Sequence, residues 1–96
     1  MVARKIIYEG RVQGVGFRYT CTRIARGYSV VGWVCNLNDG SVELQVKGER
    51  QQVADFLAAI REDNLGSCIR NESSQDLDEN ELEGHSGFTV KRLSST

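Results

Sequence analysis

The residues best suited to chemistry lie in the segment 13–18, QGVGFR. Gly14 and Gly16 predict a turn where the backbone can bend sharply or approach a ligand, and helical spacing of apolar residues begins at Phe17. A turn that opens into a helix directs backbone N–H groups and the positive end of the helix dipole at one point, which favours an anion. Arg18 would close such a site with two parallel bonds to phosphate oxygens. The same pattern is equally compatible with a plain turn and a surface arginine.

The known metal-binding and nucleotide-binding motifs do not match the residue spacing of this sequence. The glycine segment lacks the Gly-Lys-Ser/Thr ending of a P-loop, and a dinucleotide fingerprint would need its third glycine at Tyr19. The acidic run that starts at Asp76 resembles the start of a calcium loop, but Glu81 and Gly87 stand where that loop needs glycine and glutamate. The cysteines and His85 lack the paired short spacing of zinc ligands. We therefore predict no metal site.

The histidine and the cysteines are predicted to be structural. His85, the only histidine, lies in a Gly-His-Ser-Gly segment without the nucleophile elbow that a Ser-His-Asp triad would need. Cys21, Cys35 and Cys68 are an odd and sparse set, unlike a disulfide framework. We expect them to be small apolar core residues in a reducing compartment.

Composition bounds the class of protein. The 96 residues suffice for one domain over 1–96, and 40% hydrophobic with 26% charged residues is typical of a globular protein. The net charge of −1 gives no reason to expect binding to nucleic acid or a membrane, and no apolar run approaches the roughly 18 residues of a membrane span. The start lacks the apolar stretch of a secretory signal, so we expect a cytoplasmic location. Residues 1–31 nevertheless hold six basic residues against one acidic residue, an excess that would attract a small anion.

Hydrophobic periodicity predicts the elements that position these residues. Strands are indicated at 5–12, 30–37, 41–47 and 88–93, with helices starting at Phe17 and around 53–60, a hairpin turn at 37–40 and a candidate fifth strand at 68–73. The acidic stretch 75–83 is expected to be an irregular connection. The order βαββαβ predicts an α+β ferredoxin-like sandwich, with two helices on one face of an antiparallel sheet.

Two long blocks are similar to the signature of the acylphosphatase family. The first is residues 10–18, GRVQGVGFR, and the second is residues 32–42, GWVCNLNDGSV; their separation and the element order also agree. The resemblance implies a ferredoxin-like fold and hydrolysis of the carboxyl–phosphate bond of acyl phosphates, without metal or organic cofactor. It also implies that inorganic phosphate, as a product, competes with the substrate.

The resemblance assigns roles to residues of both blocks. The family's catalytic arginine falls on Arg18, and its phosphate loop runs over Gln13, Gly14, Val15, Gly16 and Phe17, whose backbone N–H groups would hold the phosphate. The catalytic asparagine falls on Asn36, where the amide would position the attacking water. Asn36 also has a plainer interpretation as a polar strand end before the turn. Gly10 and Gly32 are interpreted as packing or close-approach positions.

The alternative functions belong to different classes of protein. The same fold class includes RNA-recognition domains, but those need paired aromatic residues on the central strands and a basic sheet face. Related domains also occur in larger carbamoyl-phosphate-handling maturation proteins, whereas a 96-residue chain that begins with methionine favours a free-standing, monomeric enzyme. A phosphate-binding homologue with weak turnover is the third alternative. Gly48–Glu49 and Leu65–Ser67 depart from the family where many members have proline, and both segments lie away from the expected site.

Overall fold

The apolar pattern produces two α-helices and five strands in the part of the chain, residues 1–78 and 80–92, that the computed structural model describes. The elements are β1 (Val2–Gly10), α1 (Phe17–Ala25), β2 (Val30–Asn36), β3 (Val42–Gly48), α2 (Arg50–Glu62), a 3₁₀ helix (Asn64–Cys68), β4 (Ile69–Leu77) and β5 (Phe88–Lys91). Neither α-helix in these ranges is long and apolar enough to cross a membrane.

The strands form one sheet in the order β4-β1-β3-β2-β5. β1 pairs antiparallel with both β3 and β4, and β2 pairs antiparallel with β3. One pairing departs from the expected antiparallel sheet, because β5 runs parallel to β2. β4 runs opposite to β2, so a chain that reverses after β4 and crosses to the far edge arrives parallel to β2. The predicted ferredoxin-like α+β sandwich and its fifth strand are confirmed.

One hydrophobic core lies between the sheet and both helices. The register places Ile6 opposite Leu44 and Tyr8 opposite Val42, and these four side chains share a face because side chains alternate along a strand. Buried residues of α1 and α2 belong to the same cluster. Both helices therefore pack on this face of the sheet.

Two aromatic pairs fix the elements that border the later site. The rings of Tyr8 in β1 and Phe17 in α1 pack edge to face with centroids 5.1 Å apart. Phe88, the first residue of β5, packs in the same way against Phe56 of α2 at 5.3 Å. Such pairs add to the stabilisation from burial. They fix the start of α1 against β1 and the start of β5 against the helical layer.

Gly10 and Gly32 lie where neighbouring backbone approaches too closely for a side chain. A Cβ on Gly10 would lie 2.3 Å from the carbonyl oxygen of Cys68, and a Cβ on Gly32 would lie 2.0 Å from that of Gln45. Both distances are far below van der Waals contact. The prediction that these glycines are close-approach positions is confirmed.

The acidic stretch differs in part from the expected irregular connection. Residues 75–77 belong to β4, where Leu77 pairs with Ala3 of β1, and the following turn buries Leu82. β4 lies at the edge of the sheet and most of its side chains are exposed, so it lacks the alternation that would have revealed it. Glu79 in the acidic stretch and Leu93 in the expected last strand lie outside the described residues.

Candidate active site

The loop between β1 and α1 has the backbone conformation that its glycines allow. Gly14 has φ 77° and Gly16 has φ 84°, both in the left-handed region. No atom lies within 4 Å of a Cβ built on either residue, so conformation rather than space requires glycine here. Gly16 is the N-cap of α1 and supplies no side chain to cap it.

The backbone N–H groups at this helix start lack acceptors in the protein. Gly16 accepts from the N–H of Thr20 at 2.9 Å, but within the described ranges no carbonyl or side chain accepts from the N–H groups of residues 14–19. These donors add to the positive end of the helix dipole. Together they form a cradle for an anion.

Gln13 connects this loop to the hairpin between β2 and β3. Its Nε2 donates to the carbonyl oxygens of Leu37 and Ser41, each at 2.8 Å. The hairpin is itself held by Asp39, whose carboxylate accepts from the hydroxyl and the N–H of Ser41. These bonds lower the pKa of Asp39. The Gln13 side chain therefore sets the distance between the loop and the end of β2, a role that the sequence did not reveal.

Arg18 and Asn36 each line the same two cavities. The hairpin cavity, of about 360 Å³, is lined by Gln13, Arg18, Asn36, Leu37, Asn38, Lys91 and Arg92. The helix cavity, of about 390 Å³, is lined by Val12, Gly14, Gly16, Phe17, Arg18, Tyr19, Thr22, Asn36, Val90 and Arg92. Of the site residues expected from the sequence, only Val15 lines neither cavity; it lies exposed between the two glycines.

Two of the side chains that line both cavities, those of Arg18 and Asn36, are chemically unsatisfied. Arg18 is half-buried and has no hydrogen-bond or ion-pair partner among the described residues. Asn36 is the last residue of β2, and its Oδ1 is buried without a hydrogen-bond partner. A buried acceptor without a partner is costly unless a ligand or a water satisfies it. Arg18 offers donors and Asn36 an acceptor to whatever occupies the cavities.

The charge around both cavities is positive. No aspartate or glutamate of the described ranges lines either one, whereas Arg18 and Arg92 line both. Lys91 lines the hairpin cavity, with its Nζ 4.5 Å from the ring centre of Trp33. Lys91 and Arg92 were predicted as part of the last strand and not as site residues, although this basic pair follows a strongly acidic stretch. The parallel register, which pairs Cys35 with Lys91, brings the pair beside the end of β2.

The cysteines and the histidine line neither cavity. Cys21 and Cys35 are buried as expected and Cys68 is half-buried; burial raises the pKa of the Cys21 thiol to about 12. The Cys35 thiol donates to the carbonyl oxygen of Asn36 at 3.3 Å. His85 is half-buried in its turn, 3.4 Å from the Thr89 hydroxyl. Across residues 1–78 and 80–92, no three His, Cys, Asp or Glu side chains gather as a metal site would require.

Comparison with known proteins places this arrangement in a family. A family model described as Acylphosphatase matches residues 4–90, which include the loop, Arg18 and Asn36. The chain belongs to the acylphosphatase family. An acylphosphatase from Thermotoga petrophila is 38% identical over 91 residues, which make up 95% of this chain and 98% of that protein.

Two solved structures share the fold. The crystal structure of acylphosphatase from Bacillus subtilis matches with a TM-score of 0.83 at 35% identity, covering 95% of this chain and 99% of that one. The crystal structure of T. kodakarensis HypF matches with a TM-score of 0.80 at 27% identity, covering 95% of this chain but 12% of HypF. The predicted membership of the acylphosphatase family is confirmed.

Proposed function

We propose that this acylphosphatase hydrolyses acyl phosphates by direct attack of water on phosphorus, with Arg18 and the residue 13–18 loop holding the phosphoryl group and Asn36 holding the water. The observation that carries the assignment is the buried, unpartnered Oδ1 of Asn36 in cavities that also contain the unpaired Arg18. An acceptor and a set of donors thus face one space, as a water and a phosphate would require.

The loop and Arg18 neutralise the phosphoryl group. The N–H groups at the start of α1 point to the equatorial oxygens, and the guanidinium adds two donors and a full charge. Charge spreads over these oxygens in the transition state of phosphoryl transfer. Donors that are already oriented for that charge stabilise the transition state without rearrangement.

Asn36 aligns the nucleophile. Its Oδ1 accepts a hydrogen bond from water and directs the lone pair of the water at phosphorus, while its Nδ2 is free to donate to a phosphoryl oxygen. Attack forms the new P–O bond as the bond to the carboxylate oxygen breaks. Both protons of the water remain on the product, so the dianionic acyl phosphate yields a carboxylate and a dihydrogen phosphate. The carboxylate is a good leaving group, so the reaction needs neither a strong base nor a covalent nucleophile.

The same cradle supports further parts of the proposal. Inorganic phosphate matches the phosphoryl group, so it competes with the substrate and is released as product. The ligand is a small molecule rather than a nucleic acid, because the chain carries a net charge of −1 and only three basic residues of the described ranges, Arg18, Lys91 and Arg92, line the cavities. We propose a monomeric, cytoplasmic, single-domain enzyme that works without metal.

Hydrolysis of benzoyl phosphate with excess chelator tests the assignment of Asn36. We expect wild-type turnover to persist in chelator and Asn36→Ala to lower kcat by about a hundredfold or more, the usual effect of losing one group that acts in the transition state. The phosphate inhibition constant should stay within about threefold, because the loop and Arg18 remain.

Asn64→Ala is the matched control, because Asn64 is an exposed asparagine in the 3₁₀ helix. It should leave both constants unchanged. A folded wild-type protein without turnover would contradict the mechanism, and so would an Asn36→Ala variant with the wild-type kcat.

A further inference from the structure

Exposed apolar side chains gather at the mouth of the site. Among the described residues, four large hydrophobic side chains are exposed: Met1, Val15, Tyr19 and Val90. Three of these belong to the loop, the first turn of α1 and β5, and only Met1 lies elsewhere. Scattered single apolar residues are ordinary on a surface. A group of three beside a catalytic cavity indicates a binding surface.

Tyr19 and Val90 line the helix cavity from two sides. Tyr19 is 64% exposed in the first turn of α1, directly after Arg18, and Val90 is 43% exposed in β5. The buried Val12 and Phe17 also line this cavity, whereas Leu37 is the only large apolar residue among the described residues that line the hairpin cavity. Of the two spaces beside Arg18 and Asn36, the helix cavity is therefore the one that suits an apolar group.

The Tyr19 ring is available for a ligand. Its hydroxyl makes no hydrogen bond, and its ring contacts no other aromatic ring, within the described ranges. Only its backbone carbonyl is engaged, because it accepts from the hydroxyl of Thr22 at 2.7 Å. An exposed ring with two rotatable bonds offers a large contact area at low entropic cost.

We propose that Tyr19 and Val90 bind the acyl group, and that the preferred substrates are acyl phosphates with an aromatic or bulky apolar acyl group. The inference rests on the proposed function, because the phosphoryl position at Arg18 fixes where the acyl group begins. The acyl group leaves the phosphorus through its carboxylate oxygen and extends into the helix cavity, between α1 and β5.

An acyl group with its own carboxylate is the competing possibility, because Arg92 lines the same cavity. Charge balance favours the apolar group. The substrate phosphate carries two negative charges, and the described residues of the helix cavity supply two cations, Arg18 and Arg92, so a further carboxylate would give the occupied cavity an excess of negative charge. The kinetic test includes this alternative.

A ratio of two substrates tests the proposal. We would measure kcat/KM for benzoyl phosphate and acetyl phosphate and compare the benzoyl-to-acetyl ratio between variants, because the intrinsic reactivities cancel in that comparison. Tyr19→Ala should lower the ratio by about tenfold through a higher KM for benzoyl phosphate, since uniform binding is lost. Val90→Thr, which keeps the shape of the side chain, should lower it by about threefold.

Tyr19→Phe is the conservative control, because it keeps the ring and removes only the hydroxyl. It should keep the wild-type ratio. An unchanged ratio in Tyr19→Ala would overturn the proposal. A wild-type preference for succinyl phosphate over benzoyl phosphate that is lost in Arg92→Ala would overturn it in favour of the charged acyl group.

A binding measurement separates this proposal from the mechanism. Calorimetric titration with benzylphosphonate and methylphosphonate, which are not hydrolysed, should show tighter binding of benzylphosphonate to the wild type and a smaller difference between the two ligands in Tyr19→Ala, where Val90 remains. This result would support the acyl surface even if turnover failed. Equal affinities for the wild type, with normal turnover of both substrates, would overturn the acyl surface alone.

Discussion

Two clefts of this protein share a helix N-terminus and two arginines, yet only one has the character of an anion site. The hairpin and helix cavities lie at the start of α1 with Arg18 and Arg92. A second cleft, here named the edge cleft, lies between β1, the start of α2 and β4 and contains Arg4 and Arg50. At about 410 Å³ it is larger than the hairpin cavity or the helix cavity taken singly. Size and arginine count therefore do not select the site.

The difference lies in what the protein already supplies to each helix start. In the edge cleft, Arg4 pairs with Asp76 at 3.5 Å, and Glu49 precedes α2. At the start of α1 no carboxylate of the described residues lines the hairpin or helix cavity, and the loop has two left-handed glycines and N–H groups without acceptors. An anion site thus depends on a helix start that has a left-handed glycine loop and no neighbouring carboxylate.

We expect the largest effect on activity when Arg18 in the first turn of α1 is replaced, in contrast to Arg50 in the first turn of α2. Arg18→Ala should lower kcat/KM for benzoyl phosphate by about a thousandfold and weaken phosphate inhibition at least tenfold, because a charged bidentate donor is lost in both states. Arg50→Ala, the matched change in α2, should leave both constants within about twofold. Steady-state kinetics with circular dichroism as a folding control measures this, and equal losses in the two variants would refute the distinction.

We expect a smaller effect on activity from loss of the Gln13 hydrogen bonds, in contrast to loss of the Gln52 hydrogen bond. Gln13→Ala removes both bonds from the loop to the hairpin, so the loop and Asn36 lose their fixed separation. We expect kcat/KM to fall by about ten- to thirtyfold, because misplacement of catalytic groups is costly. Gln52→Ala removes a bond of similar length between α2 and the N–H of Ser29 and should not change activity. Wild-type kinetics in Gln13→Ala would show that the hairpin contact is dispensable.

The smallest effect is expected from a variant that tests whether carboxylates or loop conformation keep phosphate out of the edge cleft. The double variant Glu49→Gln/Asp76→Asn leaves Arg4 and Arg50 without these acidic neighbours. We expect no phosphate-dependent chemical-shift changes at the start of α2 at millimolar phosphate, because the edge cleft still lacks a left-handed glycine loop. Changes comparable to those at the α1 loop would show that carboxylates alone exclude phosphate from the edge cleft.

The sequence predicted the elements with strong periodicity and missed those set by long-range pairing. α2 has four apolar residues at helical spacing, and β3 alternates buried and half-buried residues throughout, so both were predicted to within a few residues. The polar edge strand β4 has no such pattern and was identified only in part. Periodicity describes how a segment meets the core, and an edge strand meets it little.

In the candidate site, too, the residues within a local sequence motif were predicted and those placed by long-range contacts were missed. The resemblance of the two blocks located Arg18 and Asn36, and the structure brings both to the same cavities. The Gln13 side chain was missed because its acceptors lie 24 and 28 residues away. Arg92 was missed because only the parallel register of β5 on β2 brings it to Asn36. No local pattern encodes either contact.

The contact of Lys91 with Trp33 gives the protein an internal optical reporter. Trp33 is the only tryptophan of the chain, and the cation that lies over its ring belongs to β5, which also carries Val90. Indole emission responds to a nearby charge, so the fluorescence of the native chain reads out whether this short strand is docked. Undocking of β5 is therefore visible without a label, and its timing can be compared directly with the loss of turnover.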